Sequence, residues 1–136
     1  MEPAPVPQPR KRVLVVEDDE AIRDLLVMML DNEGCRGSGA SSAAQALEMV
    51  SKERFHLIIT DLMMPDMGGY EFLRHLQAGD HRHIPVIVLT GKHLNAGAQA
   101  ELRREPNVVE YLSKPLQQAK FSAAVQNALA GRRPGR

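Results

Sequence analysis

Tryptophan is absent from this chain, and only three phenylalanines and two tyrosines occur, so its core must be aliphatic. A single cysteine, Cys35, excludes an internal disulfide and fits a reducing compartment. Neither sign of charge is in excess: 17 Lys plus Arg balance 17 Asp plus Glu, which removes the electrostatic footprint of a protein whose main business is nucleic acid. No apolar run approaches the ~18 residues of a membrane span. The opening Met1-Glu-Pro-Ala-Pro-Val-Pro-Gln-Pro9 lacks the apolar core of a signal peptide and reads as a polyproline-type tail. These features together predict a cytoplasmic chain without membrane insertion.

What remains, in 136 residues, is one domain able to bury roughly two-thirds of its unfolded surface. The expected division is a disordered Pro-rich tail over 1–10, a domain over 11–130 and a basic tail over 131–136, with Arg132, Arg133 and Arg136 in the last.

Val13-Leu-Val-Val16 and Leu57-Ile-Ile59 are short continuous apolar runs, the pattern of strands buried on both faces. Pro85 to Thr90 and Val108 to Leu112 read the same way, whereas Cys35 to Ala40 is a weak strand because Gly37 and Gly39 dilute its propensity. Between them lie helical spacings. Ile22, Leu25, Leu26, Met29 and Leu30 form one stripe that Gly34 stops; Ser41 or Ser42 caps a second helix running to about Arg54.

Tyr70, Phe72, Leu73 and Leu76 mark a third helix, about Leu94 to Arg104 a fourth, and Phe121, Ala124, Val125, Ala128 and Leu129 a fifth. The methionines at 28, 29, 49, 63, 64 and 67 read as core gap-fillers. Five alternations of strand and helix predict an α/β fold, a doubly wound five-stranded parallel sheet.

A parallel sheet brings the carboxyl ends of its strands to one edge, where ligands bind. That edge would collect Glu17, Asp18 and Asp19 from the first strand, Asp61 from the third, Thr90 from the fourth and Lys114 from the fifth. Crowded carboxylates either take up protons or bind a cation, and hard oxygen donors suit Mg²⁺. Asp61 could then serve as a nucleophile forming an acyl phosphate, with Thr90 and Lys114 answering the phosphoryl charge. His81-Arg-His83 lacks a third metal ligand and reads as an exposed turn.

From about Lys11 to Ala130 the sequence resembles a response-regulator receiver domain of two-component signalling, the CheY-like family. The resemblance rests on Val-Leu-Val-Val-Glu17-Asp18-Asp19, Asp61-Leu-Met-Met-Pro65-Asp-Met-Gly-Gly69, Val-Ile-Val-Leu-Thr90-Gly91 and Tyr111-Leu-Ser-Lys114-Pro115. It implies a (βα)5 flavodoxin-like fold, and a phosphoryl group received on Asp61 from a sensor histidine kinase or phosphotransfer protein. It further implies Mg²⁺ held by Asp18, Asp61 and the backbone carbonyl of Met63, with Glu17 acting directly or through water. Thr90 and Lys114 would contact the phosphoryl group, Lys114-Pro115 would be cis, and Thr90 with Tyr111 would form the switch.

Such a module is not an enzyme beyond its own phosphotransfer and autodephosphorylation. Its output would pass through contacts with a downstream protein rather than through nucleic acid, since only Gly-Arg-Arg-Pro-Gly-Arg follows Ala130. A homodimer through the fourth helix, fifth strand and fifth helix is compatible with this reading but not demanded. The alternatives are a phosphorylation-independent interaction scaffold and an Mg²⁺-dependent phosphohydrolase. A complete site argues against the scaffold. Met63, standing where such a hydrolase carries its acid, argues against the second.

Three departures from the family pattern stand out. Glu17 replaces an Asp, and Gly68 occupies a position where Asp is frequent. Arg104-Glu-Pro-Asn107 replaces a Gly-containing turn, and Met63 and Lys92 flank the site at positions that tune the lifetime of the acyl phosphate.

Overall fold

The computed structural model describes residues 9–64, 67–91 and 95–131. Strands β1 (Arg12–Val16), β2 (Arg36–Ala40), β3 (Leu57–Asp61), β4 (Val86–Thr90) and β5 (Val108–Ser113) alternate with helices α1 (Glu20–Asn32), α2 (Ala43–Lys52), α3 (Gly69–Ala78), α4 (Ala96–Arg104) and α5 (Gln118–Leu129). All strand pairs are parallel, in the order β2-β1-β3-β4-β5. The order reverses beside β1, which makes the gap outside β1 and β3 the topological switch point.

Two aliphatic cores follow from strands buried on both faces. One face carries Leu14, Val16, Ile58, Val86 and Val88 under α2, α3 and α4; the other carries Val13, Val15, Ile59, Ile87 and Leu89 under α1 and α5. Fully burying each such side chain contributes on the order of 2 kcal/mol. Phe72 and Phe121, one on each face, are the largest side chains fully enclosed.

The glycines of β2 have a packing reason. A Cβ at Gly37 would lie 3.2 Å from Leu30 Cδ1 and 3.3 Å from Val27 Cα, and one at Gly39 only 2.9 Å from Arg23 Cδ. β2 gives up side chains so that α1 can lie close against it. Gly34, at φ 76°, takes the left-handed conformation after the helix end, as its position predicted.

Helix starts follow their caps: Asp19, Ser42 and Asn95 each accept a first-turn N–H, from Ile22, Gln45 and Ala98. Helix α2 ends at Lys52 rather than near Arg54, because Glu53 is already extended. Helix α4 starts at Ala96, and the expected start at Leu94 lies outside the described residues.

Two expectations about packing need correction. Leu25 belongs to the periodic stripe yet is half exposed, since α1 covers only the β1–β2 side and buries Leu26 and Leu30. Met28 and Met63 are solvent-facing, at 59% and 76% exposure, not core fillers; Met64 is buried, and Met29, Met49 and Met67 pack against the two cores. β5 opens with a bulge: Val86 pairs with Val108 but Ile87 with Glu110, so Val109 is the residue skipped. His81 and His83 lie in the turn region after α3, as expected. Among the described residues no helix is long and apolar enough to cross a membrane.

The C-terminal end of α1 is tied to α5 by Glu33. Its Oε1 accepts from Ser122 Oγ at 2.7 Å and from Gln126 Nε2 at 3.0 Å, and these bonds, Gln126 first, pull its pKa below the usual carboxylate value. A lowered carboxylate pKa stabilises the fold above the unfolded pKa and loses that contribution as pH falls through the folded one. Glu33→Ala should therefore cost about 1 kcal/mol near neutral pH. Urea unfolding as a function of pH checks this: the difference from wild type should shrink towards zero in acid.

Candidate functional site

At the switch point β1 delivers Glu17 and Asp18, and β3 ends on Asp61. Carboxylate oxygens of these three residues all lie within 4.8 Å of one another. Glu17 and Asp61 are buried while Asp18 faces solvent. Lys114, just beyond β5, reaches across the edge and joins two of them: Nζ lies 2.8 Å from Glu17 Oε1 and 3.0 Å from Asp61 Oδ2.

Charges enclosed this way cost several kcal/mol each unless paired, which is what the ammonium supplies. Burial raises the pKa of Glu17 despite the opposing pull of Lys114. Burial also works against the Lys114 ammonium, but its bonds to Glu17 and Asp61 outweigh it and its pKa is raised. Protons therefore leave Glu17 less readily and Lys114 less readily than from free side chains. The donor set, three carboxylates of which one is open to water, fits a hard divalent ion such as Mg²⁺.

Backbone contacts fix the remaining geometry. Met63 N–H donates to Asp61 Oδ1 at 3.1 Å, holding the carboxylate against the loop that follows β3. Lys114 N–H donates to the Thr90 carbonyl at 2.7 Å, and the Lys114–Pro115 bond is cis, as the resemblance implied. Thr90 is buried at the end of β4, beside Ser113 of β5. A Cβ at Gly91 would meet nothing among the described residues.

Tyr111 stands on the α4 side of β5, half-buried, with its hydroxyl accepting from Arg103 Nη2 at 3.4 Å. Thus Glu17, Asp18, Asp61 and Lys114 meet, Thr90 ends the neighbouring strand, and Tyr111 sits apart on the outer face. Asp19 leaves the cluster that sequence reasoning assigned it to, because its carboxylate caps α1 through Ile22 N–H at 3.1 Å. Pro65, Asp66 and Lys92 lie outside the described residues.

Arg23 was not singled out from the sequence. Its Nη1 donates to the Glu17 carbonyl at 3.0 Å, and its stem passes over Gly39, so it anchors the acidic turn to α1. The signal that could have found it is the glycine of β2, which only makes sense when something presses on it.

A doubly wound parallel sheet, a strand-end carboxylate cluster and a bridging lysine together define the class as a flavodoxin-like α/β domain with an acidic site at its switch point. The chain belongs to the response regulator receiver domain family, whose model matches residues 13–126. A 14.6 kDa protein encoded in the sodA1 3′ region of Leptolyngbya boryana is 37% identical over 117 residues, covering 84% of this chain and 86% of that protein. The transcriptional regulatory protein AfsQ1 of Streptomyces coelicolor is 31% identical over 117 residues, covering 86% of this chain. The DNA-binding response regulator MtrA of Mycobacterium tuberculosis is 32% identical over 120 residues, covering 88% of this chain. The chain spans about half the length of these two regulators, 50% and 51% respectively.

Among solved structures, a response regulator receiver protein from Pseudomonas putida superposes with a TM-score of 0.81 at 27% identity, over 88% of this chain and 98% of that one. The chemotaxis protein CheY4 of Vibrio cholerae gives 0.81 at 26% identity, over 88% and 99%.

Two outcomes are expected from this geometry. Lys114 competes with any cation for Glu17 and Asp61, so Lys114→Met should tighten Mg²⁺ binding about tenfold, measured by calorimetry. Gly69 is the glycine that the loop after β3 requires: a Cβ there would lie 2.8 Å from both Leu62 Cα and Leu62 O, while one at Gly68 would touch nothing among the described residues. Gly69→Ala should destabilise by about 1–3 kcal/mol in chemical denaturation, and Gly68→Ala should cost no more than a few tenths.

Proposed function

We propose that this receiver domain, over residues 11–130, takes a phosphoryl group on Asp61 in a Mg²⁺-dependent reaction and uses it to switch a protein-binding face. The observation that carries the reading is the Lys114 ammonium bridging Asp61 and Glu17 within a cluster that also holds Asp18. A lone capping aspartate would need none of these neighbours.

The donor would be a phosphohistidine of a sensor kinase or phosphotransfer protein. An Asp61 carboxylate oxygen attacks phosphorus, the P–N bond breaks, and the departing imidazole nitrogen keeps its electron pair and takes a proton. Asp18, Asp61 and the Met63 carbonyl, with Glu17 directly or through water, would hold Mg²⁺, which when bound offsets charge on the transferring oxygens. Lys114 is already in place to exchange its bond with the Asp61 carboxylate for one with a phosphoryl oxygen. Water attack on the same phosphorus returns the carboxylate and limits the signal. The exposed Met63 side chain stands at the mouth of the site, where it would govern access of that water.

The readout requires Thr90 to follow the phosphoryl group and Tyr111 to give up its bond with Arg103. That rearrangement would change the surface made by α4, β5 and α5. Driving such an equilibrium nearly to completion takes ~5 kcal/mol of differential stabilisation, within reach of a few charge-assisted bonds together with the ion. The output is a contact with a downstream protein or a second copy of the chain, in the cytoplasm, without direct contact with nucleic acid.

The experiment is intact mass after incubation with a small phosphodonor, with and without Mg²⁺ and chelator, for wild type and Asp61→Asn. The expected result is a labile gain of one phosphoryl group that needs Mg²⁺ and is absent from the variant. A folded wild type that gains nothing with Mg²⁺ present would sink the reading in favour of a phosphorylation-independent scaffold.

A further inference from the structure

A second concavity lies at the opposite edge of the sheet, where the strands begin. Its volume is about 370 Å³, within the size range of small-molecule pockets. Five-residue strands set it about 15 Å from Asp61 at ~3.3 Å per residue. Ile84, Val109 and Leu129 give it an apolar wall, while Lys11, Arg54, His56 and His83 supply polar and cationic groups. Val109 is there because the bulge in β5 places an extra residue at this end.

The charge is unbalanced in a specific way. Among the described lining residues there is no carboxylate. The nearby acids Glu53 and Asp80 line an adjoining depression instead, and Glu53 is already bound by Arg12, whose guanidinium also lies 5.5 Å from the Phe55 ring centroid. Lys11 and Arg54 make no ion pair among the described residues. His56 Nδ1 accepts the Arg12 N–H at 3.0 Å, so a neutral ring carries its proton on Nε2 as a donor. Burial, with the positive charges of Lys11 and Arg54, lowers the pKa of His56 and favours that neutral form.

We infer that this pocket is a second ligand site, separate from the phosphoacceptor, for a small organic anion. A phosphate, phosphonate or carboxylate group would be held by Lys11 and Arg54, and an apolar body would rest on Ile84, Val109 and Leu129. A guanidinium fork and an ammonium lining one pocket suit a tetrahedral or planar oxyanion, and the apolar wall distinguishes this site from a merely solvated basic surface. A concave pocket of this size suits a free small molecule better than a flat membrane.

The probe is phenylphosphonate, which joins an aromatic body to a phosphonate and has no transferable phosphoryl group. It is titrated into the whole chain without Mg²⁺, and backbone amide shifts are followed by NMR. Saturable shifts centred on residues 11, 54–56, 83, 84, 109 and 129 are expected. Affinity should fall roughly tenfold in the double variant Lys11→Gln/Arg54→Gln, both sites being exposed, with an unchanged far-ultraviolet spectrum. Inorganic phosphate and benzyl alcohol should each bind more weakly than phenylphosphonate.

Shifts centred on Asp61 and Lys114, equal binding by the double variant, or equal binding of inorganic phosphate would each overturn the assignment. So would sedimentation with anionic phospholipid vesicles that depends on Lys11 and Arg54 in the absence of phenylphosphonate binding. That outcome would give the cations to a lipid headgroup surface instead.

Discussion

Three carboxylates gathered at the switch point of a parallel sheet, and the single ammonium that reconciles two of them, are the constraint on which the rest of the structure turns. Glu17 and Asp61 are buried where unpaired charge is costly, so Lys114 must cross from β5 to reach them. The elements that bring these groups together are the strands themselves, whose buried faces are specified by the two aliphatic cores. Function and stability are thus in tension at one edge of the sheet, and the cores beneath supply the stability that the edge lacks.

Around that edge, each supporting contact limits how the acidic turn can move. Arg23 ties the Glu17 carbonyl to α1, Met63 N–H orients the Asp61 carboxylate, and Leu62 lies so close to Gly69 that no side chain fits between them. Such positioning would serve the phosphoryl transfer proposed for this site, in which geometry and electrostatics do most of the catalytic work. Tyr111 and Arg103 lie further out, joined to each other on the β5–α4 face.

The chain is neutral overall, but the two ends of the sheet carry different local charge patterns. Three carboxylates cluster at the carboxyl ends of the strands, while the pocket at the amino ends is lined by Lys11 and Arg54 with no carboxylate among its described lining residues. A balanced composition therefore conceals local fields of both signs. Helices α1 and α5 join the two ends on one face and are themselves linked through Glu33, Ser122 and Gln126.

The alternation of buried strands with helical stripes is local chemistry, carried by β-branched runs and 3.6-residue spacing, so the five-fold βα order and the strand-end placement of Asp61 were legible in the sequence by itself. So were the stop at Gly34 and a serine cap for α2, narrowed to Ser41 or Ser42, because each depends on a side chain or a backbone angle within a few residues; the structure selects Ser42. Which member of the Glu17-Asp18-Asp19 run leaves the cluster to cap a helix, why β2 is built from glycine, and which methionines face water depended on partners many residues away. Only the tertiary structure decided these, because periodicity says that a side chain is apolar or charged but not what stands opposite it. Lys114 meeting Glu17 across 97 residues of chain is the clearest instance: the sequence supplied both charges, and the sheet order made them neighbours.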